Sequence, residues 1–416
     1  MSKQKDTLST PEKKVITLLG LPSFGLALSS TVVVTYVPLL AKQFTNSTAL
    51  VGGIIAIEGL VALFLPVLAG VWSDHLETRI GGRLPFLIAG LPLSAGALVA
   101  LGFSNELTDL VIFSGIFFVA YYLAYEPYRA LYPDLIEDAA AGRAQSLQAV
   151  WRGIGTGVAL TAGGFLLAAA VWLPFVMAAV LVMLSSAIFI WIMLKRGAIP
   201  KHKENQTETI KESYVDAWHQ LRTNIPLRNF IVANALWELT LAALKSFIIL
   251  YLTFGLGKTK TMAALLISVA SIIMFMGAPI SGKLGDKYGN IKVSRFGAFV
   301  FGIGLLFPAF TSSPWLILPI LPLAAIGGAI VLTLPYAILI PMMPKGQHGK
   351  LTGLYSTSRG IGIMLGPLLT GIAISVFKNV LPAHGYSAMW LICAVAMLLS
   401  VIPMNRLIGL NKTSKS

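Results

Sequence analysis

Seven charged side chains stand inside otherwise apolar stretches of this chain: Glu58, Glu126, Arg129, Arg152, Glu238, Lys245 and Arg359. A charge at bilayer depth costs about 2.5–3.5 kcal/mol even on permissive insertion scales. Such residues persist where they pair with one another or handle a solute or a proton. Three acids against four bases point to near-complete internal pairing. Pairing by itself is weak evidence for stability or for function, so each residue is read on its own.

Glu58 lies about ten residues into its apolar run, roughly 15 Å at 1.5 Å per residue, which is close to a bilayer midplane. Its neighbours from Ile54 to Leu60 include no base, so any partner comes from another helix. Burial favours the neutral carboxyl and a nearby cation favours the charged one; competition between them makes a proton switch. Glu58 reads as a proton-coupling acid ahead of a fixed structural pair. Glu238 is the second coupling candidate. It shares a helix face with Lys245 at i, i+7, and Asn234 sits one turn before it. Asn234 reads as a substrate contact, and Lys245 as reaching toward the outer interface.

Arg152 and Arg359 offer planar forks of five donors, suited to carboxylates, phosphates or sugar hydroxyls. Trp151, Tyr122 and Tyr125 add aromatic faces near Arg152, so these four read as substrate-binding. Arg359 reads as either a substrate contact or a brace to an acid in its own half. Glu126 and Arg129, spaced i, i+3, can face each other on one helix. With Asp74, Arg83 and Asp286 they read as a gate.

The elements that must hold these residues are membrane helices. The chain is 56% hydrophobic and 12% charged. Apolar runs of about 20 residues recur, each enough to cross a hydrocarbon core as a helix. Twelve spans are expected, near 15–41, 48–72, 84–104, 107–132, 144–170, 172–194, 227–255, 260–282, 292–311, 314–341, 351–377 and 386–408. The expected class is an all-α membrane protein of two pseudo-symmetric six-helix bundles, 15–194 and 227–408. A basic tail (1–14), a linker (195–226) and a short tail (409–416) complete it. Within the linker, 210–222 has the pattern of a surface amphipathic helix. Pro38, Pro66, Pro127, Pro335 and Pro367 are expected to bend or break their helices. The glycine runs at 153–157 and 360–366 allow close helix packing.

The net charge of +14 reflects topology. Apart from the four inside spans, only Lys42, Lys258, Lys260 and Lys378 of the 31 Lys and Arg fall on the side away from the termini. That places both termini and the linker in the cytoplasm, at the cell membrane, with anionic headgroups and no nucleic acid as partners. No cleavable signal peptide is expected. Cys393 is the single cysteine, so neither an internal disulfide nor a thiolate metal site is expected. No metal, no cofactor and no enzyme site is expected, because the loops are too short to hold one. There is no phosphate-binding loop to suggest ATP as the driver.

Arg-Gly-Ile-Gly occurs twice, at Arg152–Gly155 and Arg359–Gly362, half a chain-length apart. Gly70-x-x-x-Asp74 answers Gly282-x-x-x-Asp286, and Pro127-Tyr128 answers Pro335-Tyr336. Parallel repetition about a central linker resembles the major facilitator architecture. The stretch Gly282 to Gly289, with its partner at Gly70–Asp74, resembles that superfamily's helix-joining loop, in which a glycine lets two helices approach and an aspartate accepts hydrogen bonds. The first 165 residues look narrower still. Phe24-Gly25-x-Ala27-Leu28, Thr78-Arg79-x-Gly81-x-Arg83-x-Pro85-Phe86 and Pro127-Tyr128-Arg129-Ala130-Leu131 resemble sucrose/proton symporters and glycoside–pentoside–hexuronide cation symporters. Departures limit this: Phe117-Phe118-Val119 stands where the sucrose carriers hold an aspartate, and the acidic pair of the melibiose-type branch is missing. The resemblance implies a carrier for a small solute, a glycoside first, and carries over neither sucrose nor the coupling ion. Together with Glu58 as the proton-coupling acid, the expectation is a secondary active transporter of a sugar or glycoside, proton-coupled and monomeric, working by alternating access. Proton-antiport efflux of amphipathic drugs or lipids is the alternative.

Overall fold

A computed structural model describes residues 10–135, 138–196, 219, 221–311, 321–342 and 348–413. Among them the chain is entirely helical, because in hydrocarbon a backbone must satisfy its own hydrogen bonds and a helix does so locally. We number the principal helices α1 (Thr10–Phe44), α2 (Thr48–His75), α3 (Leu84–Gly102), α4 (Leu107–Leu135), α5 (Asp138–Ala169) and α6 (Leu173–Arg196) in the first half. The second half holds α7 (Ile225–Leu250), α8 (Lys260–Tyr288), α9 (Asn290–Phe310), α10 (Leu321–Thr333), α11 (His348–Val376) and α12 (Ala388–Thr413). Eleven of these are long and apolar enough to cross a membrane. The tenth is described only from Leu321, and the expected amphipathic segment 210–222 lies largely outside the described residues.

Sequence signals set the helix ends. Ser47, Asn224 and Thr259 cap α2, α7 and α8 by accepting from the N–H groups of Leu50, Leu227 and Met262. Gly289, at φ 91°, ends α8 and turns directly into α9, a left-handed conformation that favours glycine. The helices run unbroken through Pro38, Pro66, Pro127 and Pro367. Only Pro335 accompanies an interruption, between α10 and the short helix Pro335–Leu339. Neighbouring helices compensate the other four, as packed membrane bundles allow. Beyond Leu250, α7 winds into a single π-turn, Tyr251–Gly255.

Each half packs chiefly within itself: α1 on α5 and α6, α3 on α4, α7 on α11 and α12, and α9 on α12. The halves meet mainly through α2 with α11 and α5 with α8, supported by α1 with α7. Exchanging the halves turns α2 into α8 and α11 into α5, so the two main interfaces are pseudo-symmetric copies. The α2–α11 seam is close from the end away from the chain termini to mid-helix. Thr48 Oγ1 lies 2.9 Å from the Gly371 carbonyl, to which it donates, and 2.8 Å from Ser375 Oγ. Gly52 lies on the Pro367 carbonyl, Gly59 on the Met364 backbone and Gly360 on Ala62 and Leu63. At that same end Gly164 of α5 meets Ala264 of α8, and Lys42 lies 5.9 Å from the Phe254 ring centre.

One expectation about glycines changes, and that of close packing by the two glycine runs holds. The motif glycines Gly70 and Gly282 have open space where a Cβ would stand; Gly82, against the Ser73 and Leu76 carbonyls, and Gly285, against Asn290, are the tight ones. In the runs after Arg152 and Arg359, Gly360 packs across the halves on α2, and the others with close neighbours pack inside their own half. Gly155 abuts Phe24 of α1, while Gly362 and Gly366 abut Ala235 and Leu239 of α7.

Candidate functional site

The intramembrane charges converge where the halves face each other. Arg359 Nε of α11 donates to Glu238 Oε1 of α7 at 2.9 Å. One turn away, the buried Asn234 donates through Nδ2 to Ser358 Oγ at 2.8 Å. Asn234 thus braces α7 to α11, and the Ser358 hydroxyl donates in turn to the Tyr355 carbonyl. Tyr355 stacks on Phe230 at 6.4 Å. Of the two roles left open for Arg359, the geometry supplies the brace.

Glu58 projects from α2 across the gap. The opposite charges acting on it are Lys245 first and then Arg359, both from the other half; Glu238 opposes it. It has no ion pair or hydrogen bond among the described residues, and it keeps part of its surface accessible. Lys245 therefore faces the interior acids instead of the outer interface; Glu58 and Glu238 are the acids that act on it.

Three tyrosines of α4 wall the same region. Tyr121 stacks on Tyr125 at 5.2 Å, and Tyr122 meets Tyr121 edge-on at 5.1 Å. The Glu58 charge reaches Tyr121 and Tyr122, and the Arg152 charge reaches Tyr121 and Tyr125. Arg152 is exposed and makes no ion pair or hydrogen bond among the described residues. Trp151 is not its companion. Adjacent residues diverge by about 100° around a helix, and the Trp151 ring turns to α1, against Gly20 and 6.3 Å from Phe24. Sequence reading passed over Tyr355; it named Lys245, and its i, i+7 spacing from Glu238, but gave it the outer interface.

The gate candidates divide. Glu126 and Arg129 pair at 3.6 Å, with Arg129 also 5.6 Å from the Tyr125 ring centre. Arg83 pairs with Asp74 at 3.2 Å across the turn between α2 and α3, inside one half. Asp286 is exposed and has no hydrogen bond or ion pair among the described residues.

Among the described residues no group of three His, Cys, Asp or Glu could hold a metal ion. Cys393 is buried in α12 against Thr240 of α7. Two repeated helical halves of long apolar helices, with paired and unpaired charges inside them, define a multi-pass membrane protein. The family model for the Major Facilitator Superfamily matches residues 19–257 and 239–415. The chain belongs to that superfamily. Multidrug resistance protein 3 of Bacillus subtilis (strain 168) is 30% identical over 101 residues, 24% of this chain and 20% of that protein. Riboflavin transporter RibZ of Clostridioides difficile (strain 630) is 29% identical over 115 residues, 28% of this chain and 24% of that protein. The chain thus spans only about a quarter or less of these curated relatives. A crystal structure of a bacterial homolog to the human lysosomal transporter Spinster, in an inward-facing and unoccupied conformation, superposes with a TM-score of 0.72. It shares 16% identity over 96% of each chain, a likeness of fold alone.

Proposed function

We propose that this chain is a proton-coupled carrier of amphipathic organic compounds, with Glu58 as the coupling acid. The observation that carries the reading is Glu58 itself: an acid on α2, at the seam with α11, without a contact partner and facing cations of the other half. The tyrosine wall of α4 supplies broad apolar faces with polar edges. A relative named for multidrug resistance supports drug-like compounds, and export as the direction, over the uptake of a sugar. The narrower resemblance to sugar symporters rests on backbone-shaping residues of the first half, while the side chains that would couple or bind there differ.

The distribution of Lys and Arg supports cytoplasmic termini. On that orientation the close contacts at Thr48, Gly164 and Lys42 seal the outside, and the described state opens inward. Open space at Gly70 and Gly282 agrees, because these helix ends would come together only in the other state. The test is flux in proteoliposomes across a panel of amphipathic drugs, glycosides and free sugars with an imposed pH gradient. Gradient-dependent movement of at least one amphipathic compound, with no movement of sugars, is the expected result. Sugar flux alone would overturn the proposal.

A further inference from the structure

The charges that converge between the halves do not balance. Glu238 and Arg359 compensate each other at 2.9 Å, as do Glu126 and Arg129 at 3.6 Å. Glu58 then remains against two cations, Arg152 and Lys245. Neither cation has an ion pair or hydrogen bond among the described residues. They come from different halves, Arg152 on α5 and Lys245 on α7, and each lies within reach of the other's charge.

The reason for the excess is visible in the repeat. Helix α7 contributes Glu238 to hold the arginine of α11. Its counterpart α1 carries no Asp or Glu between Thr17 and Phe44, so the arginine of α5 has no equivalent acid. Like charges brought from two halves into a low-dielectric gap repel. An anion placed between them relieves that repulsion and satisfies donors on both sides. The Arg152 charge reaches the stacked pair Tyr121 and Tyr125, which offers aromatic faces to a flat ring attached to that anion.

We propose that the solute is an organic anion bearing an aromatic ring, its charged group bridging Arg152 and Lys245 and its ring lying on the α4 tyrosines. The inference rests on the reading of this region as the solute site and adds the solute's charge. Lipophilic cations are disfavoured there, since the cluster already carries positive charge in excess.

Three probes with one ring system isolate the charge: naphthoate, naphthamide and naphthylmethylammonium, titrated against the purified full chain by calorimetry. Naphthoate is expected to bind about tenfold more tightly than the amide, the equivalent of one charge-assisted hydrogen bond, and the ammonium most weakly. Lys245→Gln should remove that preference, so that naphthoate and naphthamide bind alike, whereas Lys245→Arg should keep it. Melting temperatures of both variants separate a lost contact from a lost fold. Equal affinities for the three probes, preference for the ammonium, or no binding of any overturns the inference. Because proton-driven flux of the drug panel is read separately, such a result with flux intact overturns the anion assignment alone.

Discussion

Glu58→Gln is expected to abolish proton-driven accumulation while leaving exchange of solute across the membrane largely intact. Gln preserves the size and hydrogen-bonding capacity of Glu58 but cannot gain or lose a proton at working pH. The carrier can then still alternate with solute bound, and it no longer responds to the gradient. One unit of pH difference is worth about 1.4 kcal/mol per proton, enough to drive a roughly tenfold concentration ratio. Wild-type proteoliposomes should approach that ratio, in the direction set by coupling, and the variant should remain near unity. Solute counterflow without a gradient should fall by less than about threefold, within the context dependence of a single neutral substitution. Glu58 is suited to this because its cationic neighbours sit on α7 and α11, so closing or parting the halves changes its surroundings. Undiminished gradient-driven accumulation in the variant would remove Glu58 from the mechanism.

The two arginines of the repeat should part company when each is removed. Arg359→Gln leaves Glu238 charged and without its 2.9 Å partner. Breaking a fully buried pair from one side costs about 3–5 kcal/mol. Arg359 keeps 33% of its side-chain surface and Glu238 keeps 18%, so about 2–3 kcal/mol is expected here. Adding Glu238→Gln removes the stranded charge and should restore most of the loss. Arg152→Gln strands no acid, so its melting temperature should stay near wild type. Arg152→Lys should instead weaken solute binding, because an ammonium lacks the planar fork. Melting curves and direct binding on these variants decide the matter. Equal stability losses for both arginines, or binding loss confined to Arg359, would reverse the roles given to them.

Much of the architecture was legible along the chain. Hydropathy located the spans because a membrane helix needs a continuous apolar run, a property of neighbouring residues. The repeated Arg-Gly-Ile-Gly and the two Gly-x-x-x-Asp loops announced two related halves for the same reason. Caps at Ser47, Asn224 and Thr259 are likewise local. The candidate charges were visible too, since a lone charge in an apolar run stands out whatever surrounds it in space.

Pairing was decided only by the fold. Glu238 and Arg359 lie far apart in the chain, and nothing local indicates that Arg359 finds an acid while Arg152 does not. Trp151 and Arg152 are adjacent, yet helix rotation sends one ring onto α1 and leaves its neighbour accessible. Lys245 looked outward by its position along α7 and faces Glu58 because α1 and α2 pack where they do. Residue order specifies which side chains enter the membrane and how deep, since depth follows the rise of a single helix. Which of them meet depends on the rotation of each helix and on the contact between halves, and these are set by side chains distributed over the whole bundle.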